Sequence, residues 1–152
     1  MIRLATREDM PRVWELVQEL AEYERLSELV VGDAGGLVRY ACDENLIEVF
    51  VLETDGLVVG YTISFVTFST FRTQPGIWLE DLYVTPEQRG KGFGKALLQN
   101  LISLTRDRGY GRLEWSVLDW NEPSIKFYES MGAEILPDWQ VCRMIPDEVA
   151  QL

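Results

Sequence analysis

Apolar residues near the start of the chain recur at steps of three and four: Met10, Val13, Trp14, Val17, Leu20 and Ala21. That spacing keeps one stripe of a helix apolar and predicts a helix ending at about Glu24. Thr6 offers its N-cap, with Asp9 three residues on as in a capping box and Pro11 in the first turn. Ahead of it, "IRLAT" reads as a short strand. Gly32, Gly35 and Gly36 interrupt the next stretch, where only a short helix around Leu37 to Cys42 is expected. The pattern then turns β-rich in "LIEVFVLE" and "LVVGYTISFVTF", joined by the hairpin signal Thr54-Asp55-Gly56. After the loop "STFRTQPG" comes a third run, "IWLEDLYV", from Ile77 to Val84. Helical spacing returns from about Gly92 to Arg108, with Gly109 as its stop. "RLEWSVL" reads as a strand, "NEPSIKFYESMG" as a helix with Pro123 early and Gly132 at its end, and "WQVCRMI" as a last strand.

The order β-α-α-β-β-β-α-β-α-β places an antiparallel meander before a β-α-β crossover. The expected fold is α/β (α+β): one mixed, mostly antiparallel sheet with helices on both faces, in a single domain over residues 1–152. A chain of 152 residues with 47% apolar positions is long enough for a real core. No apolar run reaches the ~18 residues of a membrane span, and "MIRLATRED" has no apolar leader, so a cytoplasmic protein is expected. Cys42 and Cys142 read as free buried thiols.

Charge and composition narrow the chemistry. There is no histidine, which removes Ser-His-Asp triads, HExxH zinc sites and histidine acid–base catalysis, and no metal site is expected. Any acid or base is Glu, Asp, Tyr, Lys or Cys. The net charge of −11 argues against a nucleic-acid partner, which needs a basic footprint, and favours approach of small cations.

The stretch "TPEQRGKGFGKALLQNL" sets Gly90, Gly92 and Gly94 among Arg89, Lys91 and Lys95, just before the second long helix. Its spacing fails the GxxxxGK[ST] phosphate loop by one residue, and GxGxG is not the GxGxxG dinucleotide fingerprint. What remains is an anion site: unpaired N–H groups at a helix start, with missing side chains that let a phosphate approach the backbone. The same glycines also suit a plain turn with solvated basic residues.

"RGKGFG" resembles the R/Q-x-x-G-x-G/A signature of the GCN5-related N-acetyltransferases (GNAT), in which this loop holds the pyrophosphate of acetyl-coenzyme A. "ELAEYE", "WLEDLYV", "RGKGFG" and "WNEPSIKFYESMGA" together resemble the diamine (spermidine/spermine-type) branch, in the same order along nearly the whole chain. The glycine pattern between the first helix and Leu46 departs from that branch, which bears on acceptor identity; Leu82 and Asp119 are departures within otherwise similar blocks.

The resemblance implies acetyl transfer from acetyl-CoA to a small primary amine, such as a polyamine, a diamine or a thialysine-like amino acid, by direct attack in a ternary complex. A lysine-like amine with pKa about 10.4 is neutral in only about one molecule in 2,500 at pH 7, a penalty of about 4.6 kcal/mol. Glu80 is the implied base, and in a regular strand its neighbour Asp81 points to the opposite face. Tyr128, a phenol protonated at neutral pH, is the implied proton donor to the leaving thiolate. Backbone N–H groups of Leu82, Tyr83 and Val84, near a strand bulge, are implied to hold the oxyanion and coenzyme. Arg89, Gly90, Lys91, Gly92, Phe93 and Gly94 are implied for the pyrophosphate, and Asn121, Pro123 and Ser124 for the rest of the coenzyme. For Asn121 the residues also allow an ordinary helix cap. Tyr23 and Glu24, with Glu80, are implied for the acceptor, and Glu22 and Glu28 add negative field. A homodimer is implied as well. A protein lysine or a different amine as acceptor, and a noncatalytic acyl-CoA-binding module, stay open at this point.

Overall fold

The computed structural model describes residues 1–146. The chain divides into two compact units, Met1–Leu118 and a second beginning at Asp119. The first unit holds one five-stranded sheet in the order β1-β2-β3-β4-β5. Its strands are β1 Ile2–Leu4, β2 Glu48–Thr54, β3 Leu57–Ser69, β4 Gln74–Val84 and β5 Leu113–Glu114. The first four pair antiparallel and β5 joins β4 in parallel, the mixed meander that the sequence pattern predicts. Asp55 and Gly56, with φ of 52° and 75°, make the tight turn between β2 and β3.

Helix α1, Met10–Tyr23, buries Met10, Val13 and Leu16 against Val49, Val51, Tyr61, Ile63 and Tyr83 of the sheet. Asp9 secures its entry, accepting from the Thr6 N–H at 2.7 Å and from the Thr6 hydroxyl at 3.0 Å. Arg3 on β1 bonds both Asp9, at 2.6 Å, and Glu53 of β2, at 2.8 Å. Helix α2, Ala34–Val38, continues as a π-helical turn over Arg39–Asp43, so the short helix near Leu37 is longer and less regular than the glycines suggest. Helix α3, Phe93–Asp107, covers the opposite face, where Leu97 packs with Leu52, Val59 and Val84. The second unit contains helix α4, Glu122–Ser130.

Three expectations are corrected. The run "WQVCRMI" forms no strand: residues 139–145 are irregular, and Trp139, Val141 and Met144 are exposed. Strands exist by pairing, and an alternating pattern without a neighbour does not make one. Of "RLEWSVL" only Leu113–Glu114 is strand. Cys142 is exposed and Cys42 half-buried, so neither thiol is fully buried.

Candidate active site

Pairing between β4 and β5 is confined to Ile77–Leu113 and Trp78–Glu114. Beyond Trp78 the two strands part, and the backbone of β4 from Leu79 to Val84 has no strand on that side among the described residues. Leu82 and Val84 turn their side chains into the core beneath α3. Tyr83 turns to the α1 face and donates its hydroxyl to Glu19 at 3.1 Å. Burial, with Glu19 beside it, raises the Tyr83 pKa. These three residues thus expose an anchored stretch of main chain at the open edge.

After Val84 the chain turns through Thr85 and Pro86 into the glycine stretch. Gly90 and Gly92 have φ of 75° and 82°, the left-handed region that disfavours a Cβ. A Cβ added at either would meet nothing within 4 Å, so conformation fixes these glycines and open space lies before them. Gly92 is the N-cap of α3, no side chain caps that helix, and Phe93, Gly94 and Lys95 form its first turn. Their N–H groups with the helix dipole make a place for an anion. Lys91 bonds Gln88 at 2.8 Å at the surface. Arg89 lies with its guanidinium 4.9 Å from the Tyr23 ring centre and 5.4 Å from that of Tyr83, and its Nε donates to the Val84 carbonyl at 3.0 Å. It ties the end of α1 to the end of β4.

The placement of two neighbouring carboxylates on β4 depends on a bulge. Asp81 lies opposite Ile63 and Leu79 opposite Ser64, so Glu80 is an extra residue on β4. Asp81 accepts from the Tyr61 hydroxyl at 3.1 Å, and Tyr61 and Ile63 belong to the core beneath α1. Trp78, opposite Phe65 and hence on that same face, donates its indole N–H to Glu80 at 3.0 Å. Both carboxylates are therefore on the α1 face. The expectation that Asp81 points away fails because it assumed a regular strand. No residue type announces a bulge here, and the sequence carried no signal for Tyr61 or Trp78 as their partners.

The environments of the carboxylates differ. Glu80 is exposed, whereas Asp81 is half-buried. Burial pushes the Asp81 carboxyl up to about 6, opposed by the Tyr61 hydrogen bond and reinforced by Glu80 and Glu24. Burial also raises Glu24, the residue just past the end of α1. Tyr61 is fully buried, and that burial together with Asp81 and Glu24 raises its hydroxyl well above the usual phenol range, so it stays a donor. Tyr23, Glu24, Glu80, Leu82–Val84 and Arg89–Gly94 all fall in the first unit.

In the second unit, Asn121 caps α4, its side chain accepting from the Ser124 N–H at 3.4 Å, with Pro123 in the first turn. Tyr128 is half-buried on α4, its ring 5.3 Å from that of Phe127.

An uncapped, glycine-turned helix start beside an open strand end suits an anionic carrier, and a bank of carboxylates in the same unit suits a cationic acceptor, a pairing compatible with a group-transfer enzyme. The chain belongs to the GNAT acetyltransferase family, whose sequence model matches residues 9–133. It is 32% identical to the thialysine N-epsilon-acetyltransferase of Bos taurus, over 100% of this chain and 96% of that one. It is 29% identical to an L-ornithine N5-acetyltransferase of Arabidopsis thaliana, over 96% of this chain and 84% of that one. Among solved structures, the ribosomal-protein-alanine N-acetyltransferase of Brucella melitensis superposes with a TM-score of 0.75 over 95% of this chain and 99% of that one, at 21% identity, a likeness of fold. The protein is an N-acetyltransferase. Among the described residues no helix is long and apolar enough to cross a membrane.

Proposed function

We propose that the protein acetylates a primary amine of a small acceptor with two or more cationic centres, a diamine, polyamine or diamino acid, using acetyl-CoA as donor. The observation that carries this is the convergence of Glu24, Glu80 and Asp81 on one face of the β4 bulge. Three carboxylates exceed what one reacting amine needs, and the excess suits a second ammonium group. The relatives that act on thialysine and ornithine support the same acceptor size.

The residues present fit the donor. Gly90 and Gly92, the first-turn N–H groups of Phe93, Gly94 and Lys95, and the open main chain of Leu82, Tyr83 and Val84 would hold it. Lys91 and Lys95 add positive charge, and Asn121, Pro123 and Ser124 are assigned to the coenzyme by the family resemblance alone. Acetyl-CoA supplies the acetyl group as a thioester. A carboxylate at the bulge takes the proton of the acceptor ammonium, which removes the roughly 4.6 kcal/mol that a protonated amine costs at pH 7. By the same resemblance Tyr128 would donate a proton to the departing thiolate. Tyr23 and Glu24 orient the acceptor, with Arg89 holding the Tyr23 ring. A cytoplasmic homodimer completes the reading; sedimentation velocity that finds only monomer would remove the dimer.

The test is release of free coenzyme with putrescine, spermidine, spermine, ornithine, thialysine, lysine and a basic peptide. Saturable release with a small diamine or diamino acid is expected, with the protein's intact mass unchanged during turnover. Release with the peptide alone, or an acetyl adduct on Cys42 or Cys142, would replace this acceptor or this mechanism.

A further inference from the structure

Two carboxylates share the bulge, and their surroundings assign them different work. Glu80 is exposed and already engaged by the Trp78 indole N–H at 3.0 Å. Such a bond fixes the direction of a surface carboxylate that a cationic acceptor can reach. Asp81 is half-buried, one oxygen is fixed by the Tyr61 hydroxyl at 3.1 Å, and Tyr61 is itself fully buried. A carboxylate so held is oriented but only partly neutralised by its neighbours.

We infer that Asp81, and not Glu80, accepts the proton of the attacking ammonium, directly or through one water, while Glu80 binds the cationic acceptor. This rests on the acceptor reading above. In the step, the ammonium N–H bond breaks and its proton passes to an Asp81 oxygen. The freed nitrogen lone pair forms the N–C bond to the thioester carbonyl, and the C–S bond breaks with its electron pair on sulfur. The second proton lost from nitrogen balances the thiolate, and Asp81 returns its proton to solvent before the next turnover.

The titratable groups around Asp81 are Tyr61 from β3, Glu80 from β4 and Glu24 at the end of α1. Further along this face Tyr83 is bonded to Glu19 of α1. A carboxyl lifted to about 6 is better matched to taking a proton near neutral pH than an ordinary one, since a base works best with a pKa near the operating pH. The neighbours also give signed expectations. Tyr61 holds the Asp81 pKa down, and Glu24 and Glu80 hold it up.

The experiment combines a carboxyl-carbon NMR titration of the free enzyme with pH profiles of kcat/KM and kcat, for wild type, Asp81→Asn, Glu80→Gln, Tyr61→Phe and Glu24→Gln. In the wild type the Asp81 resonance and the acid limb of kcat/KM are expected together near 6. Tyr61→Phe moves both upward and Glu24→Gln moves both downward. Asp81→Asn abolishes the limb and lowers kcat by about 100-fold or more, with the KM for acetyl-CoA unchanged. Glu80→Gln keeps the limb, displaced downward, and raises the amine KM by about tenfold, as loss of one charged contact does. An Asp81 carboxyl titrating in the ordinary range, or an Asp81→Asn enzyme that keeps its limb, overturns the inference alone. Absence of turnover with every amine overturns the acceptor reading and the inference with it.

Discussion

Asp81 holds a raised pKa in a folded protein, and that has a consequence for stability separate from chemistry. The folded carboxyl keeps its proton up to about pH 6, whereas the unfolded one releases it near its ordinary value of 3.8. Between these values the folded state binds more protons, so stability falls as pH rises through the window and stays reduced above it. Asp81→Asn removes the titrating charge. It is expected to raise Tm at pH 8, by a free energy of about 1–3 kcal/mol for a shift of some two units, with no gain at pH 3.5. Equal stability of the two proteins at both pH values would contradict the raised carboxyl. Asp9 runs the other way: the Arg3 hydrogen bonds hold it down at about 2, so its contribution is present above about pH 4 and fades only as pH falls through 2. At this scale the need for glycine at Gly90 and Gly92 was legible in the sequence, whereas Glu24 and Glu80 were singled out by the resemblance of their blocks. The sequence did not reveal Asp81, because its direction depends on one inserted residue in a ladder.

At the scale of elements, the glycine loop and α3 separate conformation from binding. Gly92 and Gly109 stand at opposite ends of α3, both at positive φ, and an added Cβ meets nothing at either. Alanine at each is expected to cost a similar ~1–2 kcal/mol for the left-handed backbone. Only Gly92→Ala is expected to raise the KM for acetyl-CoA, by about tenfold or more, since a charge-assisted anion contact is worth about 1.5–3 kcal/mol. Equal KM values in the two variants would reduce the loop to a turn. The meander, the hairpin at Asp55–Gly56 and both long helices followed from periodicity and capping. The parting of β4 and β5 did not, nor did the loss of the last strand, because both are decided by which backbones pair and local pattern is silent on that.

For the whole molecule, 25 acidic stand against 14 basic side chains, and the acceptor proposed above is cationic. The basic residues nearest the proposed coenzyme path, Arg89, Lys91 and Lys95, cluster at one helix start, while Glu24, Glu80 and Asp81 gather at the bulge. Charge is thus sorted within an acidic protein, and a second cationic centre on the acceptor is what that sorting would reward. Putrescine and butylamine offer the same reacting amine and chain, and differ only in the distal ammonium. The decisive measurement is kcat/KM for these two at low ionic strength, with acetyl-CoA saturating. The account predicts that putrescine exceeds butylamine by about tenfold or more, with the ratio shrinking as salt is added. Equal values for the two amines, or a preference for butylamine, would contradict it.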